Sequence, residues 1–333
     1  MQIIDELTTP ALLVESAALE ANLATMSAAL PGARLRPHIK AHKCTELAAR
    51  QRAAGHAGFT CATVREIEGM VAAGLGEDLM LANEVLDARR LGALVADGAR
   101  VTLAVDSVAT VEAAAAGGLR EVIIDVNVGL PRCGIPPDRA GELARLARER
   151  GLAVRGVMGY EGHLMMVTPA DEQTRLTEDA MKLLLAAHAE VGGELVSAGG
   201  TGTYARNTWA TEIQAGSYAL MDTAYGSLGL PFQQALSVLG TVISVSEGWA
   251  VANVGLKSLG MDHGNPTVPD ATVWFCSDEH LTFAPDTPGS VRVGDLVRVL
   301  PAHVDPTVAM HEAMYLVDGP QVLERWPVDL RGW

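Results

Sequence analysis

The sequence is short of positive charge. Its 333 residues hold 25 lysines and arginines against 40 aspartates and glutamates, a formal net charge of −15 at neutral pH. Nucleic acid and anionic membranes carry the same sign, so neither is expected as a partner. An anionic ligand would need its own local cluster of positive groups; otherwise the acidity serves solubility. Cysteine is scarce too. Cys44, Cys61, Cys133 and Cys276 form no Cys-x-x-Cys pair, and their spacing suggests neither a zinc knuckle nor a disulfide framework. No apolar run approaches the ~18–20 residues of a membrane helix. The stretch MQIIDELTTPALLVES has acids and a proline where a signal peptide has a basic end and an apolar core. A reducing cytoplasm is the expected compartment.

What is present is apolar material in a regular order. Hydrophobic residues make up 49% and charged residues 20%, enough for a large core in a chain long enough for a barrel plus a smaller domain. Short apolar runs predict strands at 34–39, 57–60, 78–82, 101–105, 121–127, 153–159, 194–198 and 212–217. Helical spacing fills 45–54, 64–73, 107–116, 138–148 and 171–191, with 15–30 ahead of the first strand. Such alternation implies a parallel sheet. Eight units fit a (β/α)8 barrel, although an open doubly wound sheet has the same local pattern. After residue 235 the texture changes. Strands are expected at 242–246, 249–254, 272–275, 297–300 and 314–317, and VRVGDLVRVL suggests paired strands around a Gly-Asp turn.

Five segments carry candidate chemistry. In LRPHIKAHK (35–43) strand alternation puts Arg36, His38 and Lys40 on one face. At the carboxyl end of a barrel strand they would point into the mouth, where a lysine amine can condense with an aldehyde cofactor. A solvated edge strand would explain the same charges. SAGGTGTY (197–204) follows a strand; its glycines can turn N–H groups toward an anion, and Thr201 and Thr203 can add hydroxyls. An ordinary glycine turn is the plainer alternative. In PAHVDPTVAMHE (301–312) an extended backbone points His303 and Asp305 the same way. That pair suits a hard divalent ion such as Mn²⁺ or Mg²⁺, or simply a hydrogen bond at a turn. Asp262, His263, Glu279, His280 and His311 are spare candidates. DVNVGLPRCG (125–134) carries Arg132 above a strand end, and GYEGHLM (159–165) does so with Tyr160 and His163.

Taken together, TPALLVE, RPHIKAHK, DVNVGLPRCG, GYEGH, GGTGTY, EIQAGSYALMD and HVDPT resemble a known family in content and order, from residue 9 to 307. The chain is similar to the fold-type III pyridoxal-phosphate (PLP) enzymes of the D-threonine aldolase and eukaryotic-type D-serine dehydratase group, relatives of alanine racemase. The resemblance implies an α/β fold: a PLP-binding (β/α)8 TIM-like barrel over 8–235, then a mainly β domain over 236–333 carrying the metal motif, with 1–7 a candidate to join it. It implies a homodimer. It makes Lys40, rather than Lys43, the PLP lysine, and Gly200, Thr201, Gly202 and Thr203 the phosphate cradle. Tyr218 and Tyr160 then lie near the cofactor, Arg132 by the pyridine nitrogen, and His303 with Asp305 at the metal.

The resemblance also separates two branches. Dehydratases of this group place His-x-Cys at the metal and aldolases place His-x-Asp; here the pair is His303-Val304-Asp305. The implied reaction is therefore cleavage of a D-β-hydroxy-α-amino acid to glycine and an aldehyde, with Lys40 and His163 as catalytic residues and His163 the candidate base. Dehydration to a 2-oxo acid and ammonia is the runner-up, racemisation a third reading, and a non-catalytic PLP carrier a fourth. GLKSLGMDHG matches the family pattern in part, and Leu281 stands where relatives usually have glycine. The substrate side chain is left open.

Overall fold

The structure, a computed structural model, describes residues 2–333. Its strands in chain order are β1 (Ala11–Glu15), β2 (Phe59–Cys61), β3 (Leu79–Leu81), β4 (Val101–Val105), β5 (Glu121–Asp125), β6 (Ala153–Gly159), β7 (Leu195–Ala198) and β8 (Glu212–Ile213). Then follow β9 (Leu236–Ser246), β10 (Trp249–Ala252), β11 (Ala271–Cys276), β12 (Leu281–Pro285), β13 (Leu296–Val299), β14 (Ala313–Asp318) and β15 (Gln321–Pro327). No helix among the described residues is long and apolar enough to cross a membrane.

One compact unit comprises Met26–Lys40, Leu47–Gly216 and Leu330–Trp333. Within it β2 to β8 form a parallel sheet in sequential order. β2, β3 and β4 are buried at every position, as parallel strands covered on both faces must be. Several of the helices between them are amphipathic, and two have side-chain caps. Helix Ala140–Glu149 buries Ala140, Leu143, Ala144 and Ala147, one stripe at helical spacing. Thr63 and Ser107 accept N–H groups at the starts of Val64–Ala72 and Val108–Gly117, and Gly118, with φ 86°, ends the second.

The segment expected as a first strand, 34–39, is not a regular strand. It nevertheless closes the cylinder. Leu35 bridges Ile213 on β8, and His38 bridges Thr60 on β2. Arg36 N–H donates to the Ile213 carbonyl at 2.9 Å, His38 N–H to that of Ala215 at 3.0 Å, and Thr60 N–H to that of Pro37 at 2.9 Å. Pro37 has no N–H to give a ladder, and the chain turns at once into the 3-10 helix Ile39–Ala41. The strand expected at 212–217 is likewise only Glu212–Ile213.

Inside the cylinder, Arg36 is not at the mouth. Its guanidinium donates to Glu212 and to Asp78, each at 2.8 Å, and the residue is only 4% exposed. Arg155 donates to Asp78 at 2.7 Å and to Thr102 at 2.9 Å. Asp78, Thr102, Arg155 and Glu212 stand at or beside the amino ends of their strands, so this layer plugs the barrel floor. Burial works against ionisation of Asp78, but the charges and hydrogen bonds of Arg36 and Arg155 outweigh it and hold its pKa at about 2. That is below the ~3.9 of an ordinary aspartate. The contribution of Asp78 to stability is therefore present above that range and is lost as pH falls toward about 2. Arg36→Met is expected to destabilise the fold by about 3 kcal/mol or more, because it takes from buried Glu212 its only arginine and leaves Asp78 with Arg155 alone. Denaturant titration at neutral pH checks this; a loss below ~1 kcal/mol would remove the argument.

The other compact unit comprises Met1–Thr25, Ala41–Glu46 and Ser217–Asp329. Its sheet runs β11-β12-β10-β9-β1-β14-β15, with β13 also on β9. β1 lies in the middle, antiparallel to β9 and parallel to β14, and Leu12, Leu13 and Val14 are wholly buried. β9 and β10 form a hairpin whose Gly248 has φ 90°. VRVGDLVRVL does not form paired strands: only Leu296–Val299 is a strand, and its partner is β9.

Candidate active site

The barrel unit brings several predicted residues together above the carboxyl ends of β5, β6 and β7. The Arg132 guanidinium lies over the Tyr160 ring, 5.4 Å from its centre, a cation–π contact. A Cβ at Gly200 would lie 3.5 Å from that ring, and one at Gly162 only 2.3 Å from it. The exposed His163 ring packs on Gly129: a Cβ there would come within 3.0 Å of His163 Nε2. Gly129 has φ 126°, so two arguments require glycine there.

The glycine loop after β7 has a specific wiring. Gly199 has φ 79°. A Cβ on Gly202 would sit 2.2 Å from the Met165 carbonyl oxygen, so backbone packs directly on backbone. The Thr203 hydroxyl donates to Glu161 Oε1 at 3.0 Å and accepts from the Gly200 N–H at 3.3 Å. Sequence reasoning offers that hydroxyl to an anion, but the structure turns its proton to Glu161. Thr201 is buried within the same loop.

Glu161 itself was not singled out from the sequence, although GYEGH contains it. A second unread group surrounds Arg132. Glu84, Asp106 and Cys133 gather their ligand atoms within 4.8 Å of one another. Burial, followed by the charge and hydrogen bond of Glu84, pushes the Asp125 pKa well up. The Cys133 thiol is raised to about 11, first by its hydrogen bond to Glu84 and then by burial. Arg132 opposes both shifts, so the cluster supplies negative potential to that guanidinium.

Lys40 lies in the turn Ile39–Ala41, half-buried, with its N–H 3.5 Å from His38 Nδ1. The turn ends the barrel-closing segment, which places Lys40 beyond the sheet rather than on it. Lys43 has a left-handed backbone, φ 46°.

In the β unit, His303 is extended and Asp305 lies in the first turn of helix Val304–Ala309, so the motif is not extended throughout. The side chains still converge: His303 Nε2 is 3.7 Å from Asp305 Oδ2. Asp262 Oδ2 lies 2.7 Å from His303 Nδ1, which places the ring proton on Nδ1 and leaves the Nε2 lone pair for a ligand. Burial raises the Asp262 pKa, but the hydrogen bond and charge of His303 outweigh it and bring it below the usual range. His263 stacks on His303 at 4.0 Å. Two ligands of one divalent ion, each bound at ~2.1 Å, stand roughly 3 Å apart, so a shift of under ~1 Å would let His303 and Asp305 share one. Buried Asp222 accepts the Val304 N–H at 2.9 Å and fixes the start of the motif. Ser217 Oγ is 3.5 Å from Asp305 Oδ2, and the next residue, Tyr218, is buried with its ring 5.7 Å from Phe232.

Comparison with known proteins identifies the family. Residues 14–224 match the family described as "Alanine racemase, N-terminal domain", and 235–317 match "Putative serine dehydratase domain". The chain is 33% identical to a D-threonine aldolase of Arthrobacter sp, over 98% of this chain and 93% of that protein. It is 32% identical to a 3-hydroxy-D-aspartate aldolase of Paracoccus denitrificans (strain Pd 1222), with the same coverage. The crystal structure of D-threonine aldolase from Filomicrobium marinum superposes with TM-score 0.92 at 33% identity, covering 100% of this chain and 98% of that one. The fold, the order of its motifs and these similarities agree: the chain belongs to the alanine racemase-like, fold-type III family of PLP enzymes.

Proposed function

We propose that the protein is a PLP- and divalent-metal-dependent aldolase that cleaves D-β-hydroxy-α-amino acids to glycine and an aldehyde. The observation that carries the reading is the pairing of His303 Nε2 with Asp305 Oδ2, backed by Asp262. An aspartate rather than a thiolate at that position suits Mn²⁺ or Mg²⁺. The aldolase relatives support it. We further propose a cytoplasmic homodimer. Residues 8–235 and 236–333 are proposed as the cofactor-binding and metal-carrying stretches of sequence, supported by the two family matches, while the compact unit with the metal motif also takes in β1.

In this reading Lys40 holds PLP covalently. Gly200, Thr201, Gly202 and Thr203 form the loop at its phosphate, with Tyr218 near it, and Tyr160 and Arg132 flank its ring. His303 and Asp305 hold the metal. Bound PLP supplies an electron sink at Cα, and the ion supplies a Lewis acid for the β-hydroxyl. The positive charge of Arg132 strengthens that sink. His163, whose exposed ring packs on Gly129, accepts the hydroxyl proton in this reading, its imidazole nitrogen serving as the base.

The test uses purified protein with PLP and Mn²⁺ on D-threonine or D-phenylserine. The expected products are glycine and an aldehyde, lost on adding EDTA. A 2-oxo acid with ammonia would move the protein to dehydration. PLP binding without turnover would leave a carrier.

A further inference from the structure

We infer that Glu161 is a positioning residue that fixes the phosphate loop from behind. The inference rests on the cofactor reading above and extends it to a residue which that reading leaves without a role.

Glu161 follows β6, yet its carboxylate serves the loop after β7. Its Oε2 accepts the Gly199 N–H at 3.0 Å. Its Oε1 accepts the Thr203 hydroxyl at 3.0 Å and the Asn207 side-chain amide at 3.0 Å. The residue is 0% exposed. A buried carboxylate is costly unless donors meet it, and here three donors meet two oxygens. Each donor lies in or just after the glycine loop, so the loop conformation and the satisfaction of Glu161 are one event. Thr203 passes the constraint on, because its oxygen accepts the Gly200 N–H at 3.3 Å. Met165 closes the remaining side, its carbonyl oxygen standing where a Cβ of Gly202 would be.

A rigid loop has its N–H groups aimed before an anion arrives, which removes an ordering cost from binding. The charge of Glu161 is spread over three donors, which screens it from a neighbouring dianion. Glutamine has the same shape but offers one acceptor oxygen and an NH2 that would face donors. At least one buried donor then loses its partner.

The experiment compares PLP with pyridoxal, which has the same aldehyde and ring but no phosphate. Dissociation constants for both are measured by visible absorbance on wild type, Glu161→Gln, Thr203→Val and Thr203→Ser. Wild type is expected to prefer PLP strongly. Glu161→Gln should weaken PLP about 10-fold or more while pyridoxal changes by less than about 3-fold. Thr203→Val should narrow the preference in the same way, and Thr203→Ser, which keeps the hydroxyl, should restore it. If Glu161→Gln does not fold, the two Thr203 variants decide the matter alone. A preference that both Glu161→Gln and Thr203→Val leave at the wild-type ratio overturns the role of Glu161. So does an equal loss for both compounds, the mark of general damage. A wild type that binds the two compounds equally removes the phosphate-loop reading itself, and the inference with it.

Discussion

Replacing Lys40 by alanine is expected to abolish covalent cofactor attachment and to lower turnover by about 10⁴-fold or more. Lys40 sits in a turn directly after the barrel-closing segment, where its position is set by backbone bonds from Arg36 and His38 to Ile213 and Ala215. No other lysine has that placement: Lys43 follows in a left-handed backbone, and Lys182 and Lys257 are exposed and paired with carboxylates. Borohydride reduction of the PLP-loaded protein, with peptide mapping, should place the label on Lys40. Lys43→Ala should keep the label. A label on Lys43, or visible absorbance that survives Lys40→Ala, would reassign the cofactor lysine.

His303→Ala is expected to cost about 10³-fold in turnover and to abolish the response to Mn²⁺, since Lewis-acid stabilisation contributes several kcal/mol. Asp262→Asn should act more mildly, weakening the metal by about 10–100-fold, because Asp262 orients the ring and is not itself the proposed ligand. Asp305→Cys should shift preference toward Zn²⁺. Metal titration monitored by activity and by direct binding separates the three. Full activity of His303→Ala in EDTA would end the metal reading.

Much of this was legible because period and punctuation agree. The helix expected at 15–30 is Ser16–Ala29, and the strands 101–105 and 153–159 appear with those bounds. Three features were not legible, each for a physical reason. Strand alternation would put Arg36, His38 and Lys40 on one face, but the chain leaves the extended path for a 3-10 helix at Ile39. Arg36 meets the barrel floor while Lys40 lies in the turn beyond the closing segment. What holds Arg36 is Glu212, 176 positions away, and no local pattern announces such a partner. The sequence of β1 stands out only as part of a motif, because four apolar residues after a proline do not say which sheet they join. Its neighbours are β9 and β14. Glu161 resembles any loop acid until its three donors are seen.

The interleaving of the two units bears on how the chain is made. β1 leaves the ribosome early, yet both strands that flank it come from beyond residue 235. Until then Leu12, Leu13 and Val14 have no sheet to enter. The barrel unit also waits, since Leu330 fills the space against Gly69 where a Cβ would lie 2.1 Å from Leu330 Cδ2. Neither unit is complete before residues 326–330 emerge. A gene cut at residue 235 would therefore yield a fragment with an unpaired apolar strand, prone to associate through that edge. Co-expression of the two pieces would be the way to recover both.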